Sequence, residues 1–212
     1  MKTSKKILLI SLDLFNSQGE QNITSVDIAM ELDISPGNLY YHYKGKEQII
    51  KALVGMYCDQ IEKITLPECD KNLTLEQLFI YIQQSMHTLY LFRFIFQNSA
   101  DLSIKYPDIN KVLKRSASTQ RKKLEQILSS LLNNKILICD ESNINFLLDI
   151  ISLTMYQSFS FYQMQGTILD DPDVIYQSLM TVFFSLQPFY KNEIEANNAL
   201  KLKILNKSLS VV

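Results

Sequence analysis

Apolar residues recur along this chain at intervals of three and four, and no segment shows the clean apolar/polar alternation of a half-buried strand. The pattern therefore predicts helices almost throughout. The first spans about residues 4–17, with Ile7, Leu8, Ser11, Leu12 and Phe15 on one face and Gly19 as its C-cap. Thr24 is placed to cap a second helix whose apolar side is Val26, Ile28, Ala29 and Leu32. Asp27, three residues on, stands where a capping-box acid belongs. Asp33 and Ile34 make a turn, and Ser35 followed by Pro36 opens a third helix as N-cap and first residue. A fourth begins near Lys46 and keeps its period through Ile49, Ile50, Leu53, Val54, Tyr57, Ile61 and Ile64. Residues 66–72 break the pattern.

Beyond the break, Thr74 with Gln77 signals another helix start. This helix is expected to continue, apolar nearly all round, through Phe96. The next covers about residues 107–133. Two further helices, 142–166 and 172–187, the second capped by Asp171 with Pro172 behind it, share a peculiarity. Their polar positions are few: Asn145, Asp149, Ser152, Ser160 and Gln163 on one narrow stripe, and Gln177, Ser178, Thr181 and Ser185 on the other helix. A helix this apolar must be covered on more than one side, and a second subunit is the natural cover. Residues 188–207 read as one last, more polar helix. The fold class is all-α. A three-helix domain occupies residues 1–50, the helix from 46 links onward, and a larger helical domain fills 51–212.

Composition narrows the chemistry. The three cysteines, Cys58, Cys69 and Cys139, lack CxxC spacing, which argues against a disulfide framework and a zinc site and for reduced thiols in the cytoplasm. No apolar run approaches the ~18 residues of a membrane span, and no basic-plus-apolar leader opens the chain. The two histidines, His42 and His87, stand far apart, with no glycine-rich phosphate loop and no GxSxG. Neither enzyme activity, nor a cofactor, nor a metal is expected. Net charge is −1, and residues 1–50 hold five lysines against six acids. A basic footprint for nucleic acid survives only in Lys2, Lys5 and Lys6 and in Lys44 and Lys46. Hydroxyls, backbone N–H groups and helix N-termini can also hold phosphate, so the weak footprint does not decide the matter.

One stretch carries more information than the rest. Ile7-Leu8, Leu14-Phe15 with Gly19, Thr24-Ser25-Val26-x-Ile28-Ala29 and Ile34-Ser35-x-Gly37-x-Leu39-Tyr40-x-His42-Tyr43-x-x-Lys46-Glu47 together resemble the N-terminal domain of the TetR family of bacterial regulators. The resemblance covers about residues 4–50. It implies a helix-turn-helix whose second helix lies in the major groove of double-stranded operator DNA. By that resemblance Leu39 and Tyr43 pin the recognition helix to the first helix. Pro36, Gly37, Asn38 and Tyr41 face base edges, Thr24, Ser25, Tyr40, His42 and Lys46 reach phosphates, and the cap residue Ser35 belongs to the same DNA-binding set. The chemistry agrees: an Asn amide can pair with the N6/N7 edge of adenine, and a helix N-terminus is an anion site. Val26 stands where some relatives place a base-reading polar residue, and Pro36 offers only an apolar contact.

Such regulators sense a small molecule in the C-terminal domain. In helix 107–133 the inward positions Ser116, Ala117 and Gln120 interrupt a core face, as a pocket wall with a few polar groups would. Met86, His87, Tyr90 and Phe94, with Met155, Phe159 and Tyr162, are the candidate opposite walls for an apolar or amphipathic effector. The implied whole is a cytoplasmic, ligand-responsive repressor that binds a pseudopalindromic operator as a homodimer through residues 142–187. The alternative is a helical protein-interaction adaptor derived from such a regulator, with weak or no DNA binding.

Overall fold

A computed structural model describes residues 2–67, 73–167, 173–191, 194–207 and 209. Among these residues eleven α-helices form and no strand does. They are α1 (Thr3–Gln18), α2 (Ser25–Glu31), α3 (Pro36–His42), α4 (Lys46–Glu62), α5 (Leu75–Leu91), α6 (Phe94–Gln97), α7 (Ser99–Lys105), α8 (Pro107–Asn133), α9 (Ile144–Met164), α10 (Asp173–Leu186) and α11 (Ile194–Leu205). None is long and apolar enough to cross a membrane. Cys69 and the expected cap at Asp171 and Pro172 lie outside the described residues.

The chain forms two compact units, one of residues 1–61 with 91–115, the other of residues 62–90 with 116–212. In the first, Ile7, Phe15, Ile28, Leu39, Ile49, Ile50, Leu53 and Tyr57 are buried, as their helical spacing predicts. Burial of each large apolar side chain is worth about 1.5–3 kcal/mol. The rings of Phe92 and Phe96 meet Tyr57 edge-on, with centroids 6.0 and 5.3 Å away. Gly19 ends α1 with φ +84°, and its N–H donates to the Phe15 carbonyl. Asp33 turns the chain between α2 and α3 in the left-handed region at φ +52°, as only a short polar side chain or glycine does at low cost.

Three sequence expectations change. The helix expected to run to Phe96 stops at Leu91, because Asn16 of α1 intervenes. Its amide donates to the Leu91 carbonyl at 2.8 Å, and its side-chain oxygen accepts the Phe94 N–H at 3.0 Å. Both groups would otherwise serve a continuous helical ladder. Val26 does not join the apolar side of α2; it is exposed, and Ile28 and Ala29 are the buried residues of that helix. The last helix does not start at 188. Residues 187–189 form a 3-10 turn, and Tyr190 pairs with Leu137 in an isolated antiparallel bridge. There the Ile138 N–H reaches the Phe189 carbonyl at 2.7 Å and the Lys191 N–H the Ile136 carbonyl at 3.1 Å.

In the second unit α9 and α10 pack on one another, and α10 also meets α11. Leu147, Leu148, Ile151, Ile175, Leu179, Val182 and Phe183 are buried there. Ion pairs tie α11 down. Lys203 bridges both oxygens of Glu76 on α5 at 2.6 and 2.7 Å, and Lys207 pairs with Asp173 on α10.

Candidate nucleic-acid interface

Helix α3 has seven residues and one of them is buried. Ser35 caps it by accepting the Asn38 N–H at 3.1 Å, with Pro36 at the first position, where a missing donor costs nothing. Leu39 is 2% exposed and anchors the helix, while the Tyr43 hydroxyl donates to the Ser4 carbonyl of α1 at 3.4 Å. The rest of α3, apart from half-buried His42, faces outward. Pro36, Gly37 and Asn38 are exposed, as are Tyr40 at 60% and Tyr41 at 83%. His42 is half-buried beneath Tyr41, ring edge to ring face at 5.3 Å. A Cβ added to Gly37 would meet nothing nearer than the Ser35 hydroxyl at 3.9 Å, so no contact inside the chain requires a glycine there.

Helix α2 begins with a complete capping box. The Thr24 hydroxyl accepts the Asp27 N–H at 3.2 Å, and the Asp27 carboxylate accepts the Thr24 N–H at 2.7 Å and the Thr24 hydroxyl at 2.6 Å. Those bonds from the Thr24 hydroxyl and backbone hold the Asp27 carboxyl below its usual range. Both hydrogen-bonding functions of the Thr24 hydroxyl are thus directed at its own helix. Ser25, next to it, is half-buried.

Lys46 opens α4, but its ammonium turns inward. It donates to the Glu20 carbonyl and the Ile23 carbonyl, each at 2.8 Å, and lies 2.8 Å from the Glu20 carboxylate. All three ammonium protons have acceptors within the protein. The Glu20 carboxylate, in a residue 4% exposed, also accepts the Tyr106 hydroxyl at 2.9 Å and has Lys105 at 3.5 Å. Burial alone would raise the Glu20 pKa. The hydrogen bonds from Lys46 and Tyr106, with the Lys46 and Lys105 charges, outweigh that and lower it. Nothing in the sequence pattern marked Glu20, because its partners lie 26 and 86 residues away.

The candidate effector residues are only partly brought together. In the second unit a cavity of about 20 Å³ is lined by Tyr81, Gln120, Leu124, Ser152, Met155 and Tyr156, among others. That is room for a single water rather than for an effector. Its polar centre is the Tyr81 hydroxyl donating to the Gln120 side-chain oxygen at 2.8 Å, and burial pushes the Tyr81 pKa well up. Of the candidate effector residues, Gln120 and Met155 line this space. Ser116, Met86 and Phe159 are buried, and the Tyr90 ring meets Phe159 at 5.6 Å. His87 is exposed, and the Tyr162 hydroxyl lies 3.4 Å from Thr181 on α10. Phe94 belongs to the first unit, where its ring meets Phe15 at 5.4 Å. Tyr81, which lines that small cavity, was not among the candidates; a tyrosine in an apolar stripe gives no sign of where its hydroxyl is bonded.

A short, outward-facing helix held by one leucine behind a capped partner helix is the arrangement of a helix-turn-helix DNA-binding protein. Known proteins agree. Residues 7–53 match the family described as bacterial regulatory proteins of the tetR family, and residues 56–197 match one described as bacterial transcriptional repressor. The biofilm operon icaADBC HTH-type negative transcriptional regulator IcaR of Staphylococcus epidermidis is 27% identical over 190 residues, 84% of this chain and 97% of that protein. A TetR-family transcriptional regulator from Marinobacter aquaeolei VT8 superposes with a TM-score of 0.83 at 30% identity, over 96% of this chain and 99% of that one. The ketosteroid transcriptional regulator KstR2 of Mycobacterium tuberculosis shares the fold, with a TM-score of 0.68 at 20% identity over 90% and 96% of the two chains. The chain belongs to the TetR family of bacterial transcriptional regulators, and it is a DNA-binding repressor.

Proposed function

We propose that this repressor binds a pseudopalindromic operator as a homodimer in the cytoplasm and is released by a small effector. The observation that carries the reading is the outer face of α3, where the Ser35 cap, Pro36, Gly37, Asn38, Tyr40 and Tyr41 are all exposed and Leu39 alone is buried. Residues 1–50 read DNA, α4 links onward, and residues 51–212 serve the dimer and the effector. Gly37, which no internal contact requires, leaves room for close approach of the DNA backbone. Asn38 and Tyr41 read bases, while Ser25, Tyr40 and His42 donate to phosphates, helped by the Thr24-capped N-terminus of α2 and by the start of α4. Lys46 contributes to the phosphate set only if its ammonium leaves Glu20.

The dimer forms through residues 142–187. On α9 Phe146, Leu153, Phe161 and Met164 are exposed, as is Phe184 on α10. Five large apolar side chains on two neighbouring helices suit an isologous four-helix interface between copies of the chain. Two half-sites one turn of DNA apart ask for a spacing of about 34–36 Å between the two α3 helices. The effector site centres on Tyr81 and Gln120, with Met155 and Phe159 in the same core, and opens from its closed form to admit an apolar or amphipathic molecule. Its coupling to operator binding is of the order of 1–3 kcal/mol and reciprocal. The adaptor reading is not favoured, since the relatives are transcriptional regulators. Fluorescence anisotropy on duplex DNA from upstream of the protein's own gene tests the reading. Saturable, salt-sensitive binding is expected, and no binding at low salt would overturn it.

A further inference from the structure

The buried Glu20 carboxylate serves no role assigned so far, yet it joins three separate pieces of the first unit. It sits in the turn between α1 and α2, four residues before the Thr24 cap. Through Lys46 it holds the first residue of α4, and through Tyr106 the corner where α7 gives way to α8. The Lys46 ammonium is further fixed by the Glu20 and Ile23 carbonyls, so charge and backbone are bound as one knot. Two neutral ties flank it. Asn16 bonds the main chain at Leu91 and Phe94, and Gln21 accepts the Asn98 amide at 3.2 Å. Breaking the pair is unfavourable chiefly on the Glu20 side, because that carboxylate is buried and Lys46 is only half-buried.

We propose that Glu20 is a positioning residue for operator binding: its carboxylate, bonded to Lys46 and Tyr106, fixes the α2–α3 helices against the start of α4 and the α7–α8 corner. The inference rests on the operator-binding reading. It gives Lys46 a different task from its resemblance-derived one, since a lysine spent on Glu20 aligns the reading helices rather than neutralising a phosphate. The two tasks differ in sign. If Lys46 must leave Glu20 to reach DNA, removing the Glu20 charge frees it and strengthens binding. If the knot persists on DNA, removing that charge loosens α2–α3 and weakens binding.

The test is anisotropy of the full chain on a fluorescein-labelled duplex from upstream of its own gene, across a salt series, with circular dichroism melts of every variant. Wild type, Glu20→Gln, Lys46→Met, Tyr106→Phe and the Glu20→Gln/Lys46→Met pair are compared. Glu20→Gln keeps the shape, and Tyr106→Phe removes one hydroxyl and leaves the ion pair, so at least one variant reports on a folded protein. The expected result is about tenfold weaker binding by Glu20→Gln, the scale of one lost hydrogen bond to a charge. A smaller loss in the same direction is expected for Tyr106→Phe. The double variant is expected to be no weaker than the worse single one, and the salt slope should stay at the wild-type value. Tighter binding by Glu20→Gln, together with a salt slope smaller by about one in Lys46→Met, would overturn the proposal and return Lys46 to a phosphate. Variants that melt earlier but bind as wild type would reduce Glu20 to a stability residue and overturn it equally. Absence of wild-type binding would instead refute the operator reading itself.

Discussion

Replacing Leu39 by alanine is the sharpest probe of how the reading helix is held. Leu39 is the one buried residue of α3, and its side chain is lodged in the core of the first unit. The substitution removes three carbons, a transfer loss of about 2.4 kcal/mol at about 0.8 kcal/mol each. Incomplete collapse of the space left behind brings the total to about 3 kcal/mol, within the usual range for buried leucines. The remaining ties of α3 are weak by comparison: the Ser35 cap and the long Tyr43–Ser4 hydrogen bond. Opening of α3 should therefore become about 100-fold more frequent. Hydrogen exchange of the Tyr43 amide, which donates to the Leu39 carbonyl at 2.8 Å, reads that opening directly. Amides of α9 in the second unit should keep their wild-type protection. A change below about fivefold at Tyr43, which is about 1 kcal/mol, would show that something other than Leu39 anchors the helix.

Asn38→Ala should leave thermal stability within about 0.5 kcal/mol, as an exposed site does, yet cost about 1–3 kcal/mol of operator affinity at one base pair per half-site. Equal losses on every sequence would contradict base reading by Asn38. Leu153→Glu on the exposed face of α9 should convert the dimer to a folded monomer in sedimentation, and a dimer of unchanged strength would place the interface elsewhere. Thr24→Ala should cost about 1 kcal/mol in urea unfolding, with Thr24→Ser close to wild type, because the cap is an oxygen rather than a methyl group; equal losses would discount the capping box. Because the Glu20 pKa is lowered on folding, its contribution is present above the unfolded carboxyl value and is lost as pH falls through the folded one. Melting temperatures followed downward in pH should fall less steeply for Glu20→Gln than for wild type, and parallel curves would discount the group.

What could be read in advance followed the range of the interactions involved. Gly19, the Thr24–Asp27 box and the Ser35–Pro36 start are local devices closed within a few residues, so their spacing announced α1, α2 and α3. The outward α3 face was legible for the same reason, since a helix that short has few inward positions. The break after Leu91 was not legible, because Asn16, 75 residues earlier, imposes it on an apolar segment that would otherwise continue as helix. Lys46 carried a family role that its position supports and its ammonium geometry does not, a difference made by a carboxylate that only the fold brings near. The polar interruption at Ser116 and Gln120 pointed inward as read, but no pattern could give a cavity's size. The pairing of Tyr190 with Leu137 depends on two loops meeting, and helical periodicity is silent about that.

That small bridge has a consequence for how such repressors diversify. Residues 136–138 and 189–191 are hydrogen-bonded neighbours, so the chain enters and leaves the α9–α10 excursion at one place. A segment with adjoining ends can be exchanged as a cassette when its contacts with the rest of the unit, such as Phe183 on Phe79 of α5 and Asp173 on Lys207, are kept. With the dimer formed through these helices as proposed, grafting those of a relative between the loops would transplant partner choice while leaving the residues of α3 as they were. Paralogous repressors sharing one cell could by this route stop forming mixed assemblies without altering a single DNA contact.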